Sequence, residues 1–88
     1  MDGGTEGPME KVDDERERLT HAVDEFAAEM KARLLEKHEE GYRGWNEAYP
    51  SDAIAVEINR DSVALIKNHK NRKAAVDIAN RAMMLWIR

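Results

Sequence analysis

A run of apolar residues at helical spacing near the N-terminus constrains this chain most. Leu19, Val23, Phe26, Met30 and Leu34 recur at steps of four, three, four and four, which lines them along one side of a helix. The pattern holds from about Asp13 to the stop signals Gly41 and Gly44, and Asp13, Asp14 and Glu15 suit the positive end of the helix dipole. A helix of roughly 28 residues is about 42 Å long at 1.5 Å per residue, longer than a compact domain of this size is wide. Its stripe is therefore expected to reach a second subunit. The 88 residues suffice for one domain, and the absence of cysteine removes disulfides and thiolate zinc sites, so packing between copies is an expected source of stability.

The remainder reads as two further helices. Met1 to Pro8 holds three glycines and a proline with little apolar content, so residues 1–12 are expected to form a flexible tail and residues 13–88 the single helical domain. Tyr42 to Pro50 is an aromatic-rich connection, and Pro50-Ser51-Asp52 is a helix start with Ser51 as the expected cap. The second helix runs to about Ile66, with Ile54, Ile58 and Leu65 on one side and Val56 and Val63 on another, which predicts burial on more than one face. Asn68 to Asn71 is a turn, and a third helix runs from Arg72 through Ile78, Met83 and Trp86. No segment shows the period-two alternation of a strand. The expected fold is all-α: a long N-terminal helix plus an antiparallel helical hairpin.

Charge and hydropathy exclude several function classes. Hydrophobic residues make up 42% of the chain and charged residues 36%, too apolar for a wholly disordered protein and too charged for a membrane one. No apolar stretch approaches the ~18 residues of a membrane span, and Met1 to Glu10 lacks the basic and apolar regions of a signal peptide, which makes the cytoplasm the expected location and a membrane partner unexpected. The net charge of −4 disfavours general nucleic-acid binding. One segment departs from this balance: Lys67, Lys70, Arg72 and Lys73 place four positive charges in seven residues with no acid, a turn that suits a small anion or simply an exposed loop.

Acids on apolar faces are the candidate chemistry. Asp61 falls on the Ile54, Ile58 and Leu65 side of the second helix with Glu57 one turn before it, and Asp77 lies as far beyond the turn as Asp61 lies before it. In an antiparallel hairpin the two aspartates come level. Facing carboxylates repel unless a proton, base or cation joins them, and Mg²⁺ is the cation that takes oxygen ligands while keeping waters for a phosphate substrate. The structural alternative is solvated pairing, Asp77 with Arg81 and Arg60 with Glu57 or Asp61. Trp45 and Trp86 suit core or interface anchoring as well as base stacking. His21, His38 and His69 share no helical spacing, and no HExxH, glycine-rich phosphate loop, GxSxG or cysteine nucleophile occurs.

The segment Lys37-His38-Glu39-Glu40-Gly41-Tyr42-Arg43-Gly44-Trp45, the acid-bearing second helix and the string Asp77-Ile78-Ala79-Asn80-Arg81-Ala82-Met83-Met84 resemble the short MazG-like nucleoside triphosphate pyrophosphohydrolases over about residues 26 to 88. The resemblance implies an all-α fold assembled as a dimer or dimer of dimers, ExxE and ExxD carboxylates that hold Mg²⁺, and cleavage of a nucleoside triphosphate between its α- and β-phosphates. On that pattern Asp61 and Asp77, with Glu57 assisting, hold the metal and activate water. Lys67, Lys70, Arg72 and Lys73 neutralise the triphosphate, Trp45 stacks on the base, and Asn80 adds a neutral contact. The departures fall on the chemistry. Three residues before Asp77 stands Ala74, and three after Asp61 stands Ala64; starting instead from Glu57 gives Arg60. The hairpin turn is also shorter than is usual in that family.

Two functions are therefore expected alternatives. One is a Mg²⁺-dependent nucleotide pyrophosphohydrolase, intact or degenerate. The other is a helical oligomeric scaffold that no longer catalyses and binds a nucleotide or protein partner, with Ala64 and Ala74 letting the second and third helices approach closely without a metal.

Overall fold

The computed structural model describes residues 8–46 and 48–88, with side chains from residue 13. Three helices occur in order: α1 Pro8–Glu39, α2 Ser51–Lys67 and α3 Arg72–Ile87, with no strand among the described residues. The first seven residues of the expected tail lie outside the described residues. Helix α1 begins at Pro8 rather than near Asp13, so residues 8–12 are helical. Proline suits a first helical turn because its missing N–H would have no intrahelical partner there. None of the three helices is long and apolar enough to cross a membrane.

Helix α1 stops through a backbone motif. Tyr42 N–H donates to Lys37 O at 3.1 Å and Gly41 N–H to His38 O at 3.0 Å, with Gly41 at φ 102°, the two-bond closure that a left-handed residue permits. The Lys37 ammonium sits 4.8 Å from the Tyr42 ring centroid, and Arg43 Nη1 donates to His38 O at 2.6 Å, so the last carbonyls are covered. A Cβ on Gly41 would meet no atom within 4 Å, so its cost is conformational alone. Gly41→Ala is expected to lower stability by about 1 kcal/mol, read as a lower urea midpoint at unchanged m-value.

The cap of α2 differs from the sequence expectation. Pro50 holds the cap position in an extended conformation with no side-chain cap bond, while Ser51 is already helical and its Oγ accepts from Arg88 Nη1 at 2.9 Å. At the other end Asn68 to Asn71 forms the expected turn. Asn68 Oδ1 accepts from Lys70 N–H at 3.1 Å, and Asn71 Oδ1 caps α3 by accepting from Ala74 N–H at 3.0 Å.

Helix α3 is the central element. It packs against α2 as an antiparallel hairpin and against α1, whereas α1 and α2 share no comparable contact. Asp77 meets Arg33 and Asn80 meets Met30, so α3 also runs antiparallel to α1. Among the described residues only Ile54, Ala74 and Asn80 are buried. On α1 the face toward α3 is Ala27, Met30, Arg33, Leu34 and Lys37, all half-buried. The N-terminal part of the same stripe is uncovered: Leu19 is 61% and Val23 66% exposed. From the Met30–Asn80 level, α1 extends 22 residues to Pro8 and α3 seven to Ile87, so α1 overhangs by roughly 22 Å at 1.5 Å per residue. The radius of gyration, 18.0 Å, exceeds the ~12 Å of a compact chain of this length, as such an arm requires.

The second face expected to be buried on α2 is open in the single chain. Val56 is 60%, Val63 44% and Ile66 73% exposed, whereas Ile54 is enclosed against α3. One neighbouring helix can cover only one stripe of α2, and α1 makes no contact with α2 that would cover a second.

Candidate functional site

The acids singled out from sequence sit in two ion-paired groups, one between α3 and α2 and one between α3 and α1. On the α2 side, Arg81 of α3 reaches across the hairpin: its Nε lies 3.3 Å from Glu57 Oε2 and its Nη1 donates to Asp61 Oδ2. Tyr49 of the α1–α2 connection donates its hydroxyl to Glu57 Oε1 at 3.2 Å. That bond and the Glu57 charge raise the Tyr49 pKa above its ordinary value. On the α1 side, Arg33 Nε donates to Asp77 Oδ1 at 3.1 Å, and Lys73 Nζ lies 3.5 Å from Asp77 Oδ2. Arg33 also pairs with Glu36. Desolvation by the helix packing works against the Arg33 charge, but the bonds to Asp77 and Glu36 outweigh it and raise its pKa.

These pairs decide between the structural alternatives read from sequence. Arg81 serves Glu57 and Asp61 across the hairpin rather than Asp77 on its own helix, and Asp77 takes Lys73 and the α1 residue Arg33. Because Arg81 spans Glu57 and Asp61 while Arg88 reaches Ser51, the hairpin register puts Asp61 and Asp77 within about one turn of the same level. They are nonetheless committed to different arginines, Asp61 to Arg81 and Asp77 to Arg33 of α1. Ala64 and Ala74 come level by the same register; Ala74 is buried and Ala64 half-buried.

As arranged, the acids do not fit a divalent cation. Magnesium in a protein site needs several oxygens converging with near-octahedral geometry. No group of three or more Asp, Glu or His side chains converges among the described residues, and a cation at Glu57 and Asp61 would have to displace a guanidinium that already pairs with both.

The expected substrate contacts are also dispersed. Arg88 Nη2 donates to Trp45 O at 3.0 Å, which fixes Trp45 at the C-terminal end of α3. Lys67, Lys70, Arg72 and Lys73 lie at its N-terminal end. The length of α3, about 24 Å for sixteen residues, separates the aromatic ring from the basic turn. Trp45 is 44% exposed, and Trp86, near the same end, is 84% exposed. Asn80 is buried, but its Nδ2 donates to Met30 O at 3.2 Å, so it ties α3 to α1; its Oδ1 has no protein partner.

Sequence reading passed over Arg33, although a signal was present. It lies on the apolar side of α1 between Met30 and Leu34, and a charge on a packed face calls for a partner. No protein-family model, curated protein or solved structure matches this chain. The MazG-like resemblance accordingly rests on the residues quoted above.

Proposed function

We propose that this chain is a helical assembly module, a MazG-like scaffold in which the carboxylates hold helices together and the working surface is apolar and shared between copies. The observation that carries this reading is the combination of ion-paired acids with uncovered stripes. Arg81 occupies Glu57 and Asp61 and Arg33 occupies Asp77, while Leu19 and Val23 on α1 and Val56, Val63 and Ile66 on α2 stand open. A monomer this small gains little from its own interior, and contiguous exposed apolar stripes mark association sites. Two stripes on different helices suit a dimer whose second face pairs dimers or receives a protein partner.

The experiment has two arms. Light scattering coupled to size-exclusion chromatography is expected to give a mass two or four times the 10.1 kDa of the chain. A panel of nucleoside triphosphates with Mg²⁺ is expected to release no pyrophosphate above background, with Asp77→Ala indistinguishable from the parent. Mg²⁺-dependent release that Asp77→Ala abolishes would replace this reading with the pyrophosphohydrolase one.

A further inference from the structure

The charge of this molecule is segregated along its length. Residues 13–25, the part of α1 at and beyond the end of α3, carry six acids, Asp13, Asp14, Glu15, Glu17, Asp24 and Glu25, against two arginines. The turn Lys67 to Lys73 carries four bases and no acid. Because Asp77 meets Arg33 and Asn80 meets Met30, the basic turn lies beside the C-terminal end of α1, at the opposite pole from the acidic arm. Between the poles runs an open groove of about 1020 Å³, formed along α1 and the first turns of α3. Ala28, Ala32, Ala75 and Val76 leave it shallow-sided enough for a helix to approach closely, and Arg72 and Lys73 stand on its α3 rim.

We propose that this groove receives the N-terminal arm of a second copy, residues 13–26, running antiparallel to the α1 that lines it. The proposal rests on the assembly reading above and names its geometry. Leu19 and Val23 of the arm fill the groove, Phe26, which lines it, meets the partner's arm near the two-fold axis, and the acidic end of the arm reaches the basic turn. The α1 rim contributes Glu25, Glu29 and Glu36, the last already paired with Arg33, and Glu29 is the rim acid placed to meet the arm's own Arg16 and Arg18. An antiparallel pair is reciprocal: each copy gives one arm and one groove, so the interface closes with two-fold symmetry and builds no filament. A parallel pair would set acidic arm beside acidic arm and basic turn beside basic turn, which like-charge repulsion opposes.

A charge-swap experiment tests this geometry separately from assembly itself. One variant reverses the turn, Lys70→Glu with Arg72→Glu; the other reverses the arm, Asp13→Lys, Asp14→Lys and Glu17→Lys. All five residues are exposed, and a cooperative thermal melt of each variant checks that the α2–α3 hairpin stays folded. Each alone is expected to weaken self-association about 100-fold, roughly two steps of 1.4 kcal/mol. Mixed in equal amounts, the two are expected to form a heterodimer within about tenfold of the parent Kd, because acidic arm then meets basic turn at one end and basic arm meets acidic turn at the other. A parent that dimerises while the mixture fails to recover overturns the arm-in-groove geometry and leaves the assembly reading standing. A parent that stays monomeric overturns both. A turn reversal that leaves the dimer intact but removes a thermal shift caused by dATP overturns the geometry too, assigning the turn to an anion.

Discussion

Leu19→Asp combined with Val23→Asp is expected to give a monomer that keeps its hairpin. The two side chains are among the most exposed large apolar groups of the described residues, and they lie on α1 at and beyond the level where α3 ends. Within one protomer the substitutions therefore remove almost no packing, and folding of α2 on α3 should be untouched. Between protomers the effect is large. A buried Leu or Val side chain contributes about 1.5 kcal/mol or more, so four of them lost from a symmetric pair remove roughly 6 kcal/mol, about four powers of ten in Kd. Sedimentation velocity near 10 µM reads the change as a single species at the monomer mass, about 10 kDa. The control is Leu35→Asp, at a position 64% exposed on the opposite side of α1, which should leave the mass of the parent unchanged. If both variants dissociate, or neither does, the stripe is not the contact. Isolated arms of this length are marginal helices in water, so the monomer should also lose helicity from the N-terminal end of α1.

Much of this architecture is legible in the sequence because it depends on local rules. The step pattern of Leu19 to Leu34 fixes the face of α1, Gly41 fixes its end, and Asn71 fixes the start of α3, each through contacts within a few residues. The start of α1 was equally local, since Pro8 is a first-turn residue, but the glycines before it suggest a tail and obscure the signal. Which stripe of α2 is covered is not local. Val56 and Ile54 differ in exposure because of where α3 lies, and no property of either residue encodes that.

The candidate site divides in the same way. That Asp61 and Asp77 are level follows from counting residues to the turn. Which direction each carboxylate takes depends on the rotation of three helices and on arginines 20 and 44 positions distant in sequence. A carboxylate pair that looks like a metal site in a two-helix projection becomes two separate ion-paired groups once α1 supplies Arg33. The placement of Ala74 and Ala64 fits this outcome: small residues at the hairpin contact bring α2 close enough to α3 for one guanidinium to span Glu57 and Asp61.

Removing that guanidinium should therefore cost more than an ordinary surface ion pair. Arg81, Glu57 and Asp61 are 27%, 27% and 20% exposed, so all three are substantially withdrawn from water. Exposed pairs contribute about 0–1 kcal/mol, whereas stranding a buried charge costs about 3–5 kcal/mol. Arg81→Met leaves two half-buried carboxylates one turn apart with their shared counter-charge gone, and an intermediate loss of about 2–3 kcal/mol is expected. For a domain of this size that lowers Tm by roughly 10 °C or more. The discriminating variant removes the charges as well. Arg81→Met with Glu57→Gln and Asp61→Asn leaves no stranded charge, and most of the lost stability should return, because the penalty lies in the unpaired acids rather than in the missing contact. If the triple variant is no more stable than Arg81→Met, the guanidinium acts through its packing against α2, and the acids are bystanders. If Arg81→Met itself melts with the parent, Glu57 and Asp61 find other partners or water, and they are not held by Arg81 at all.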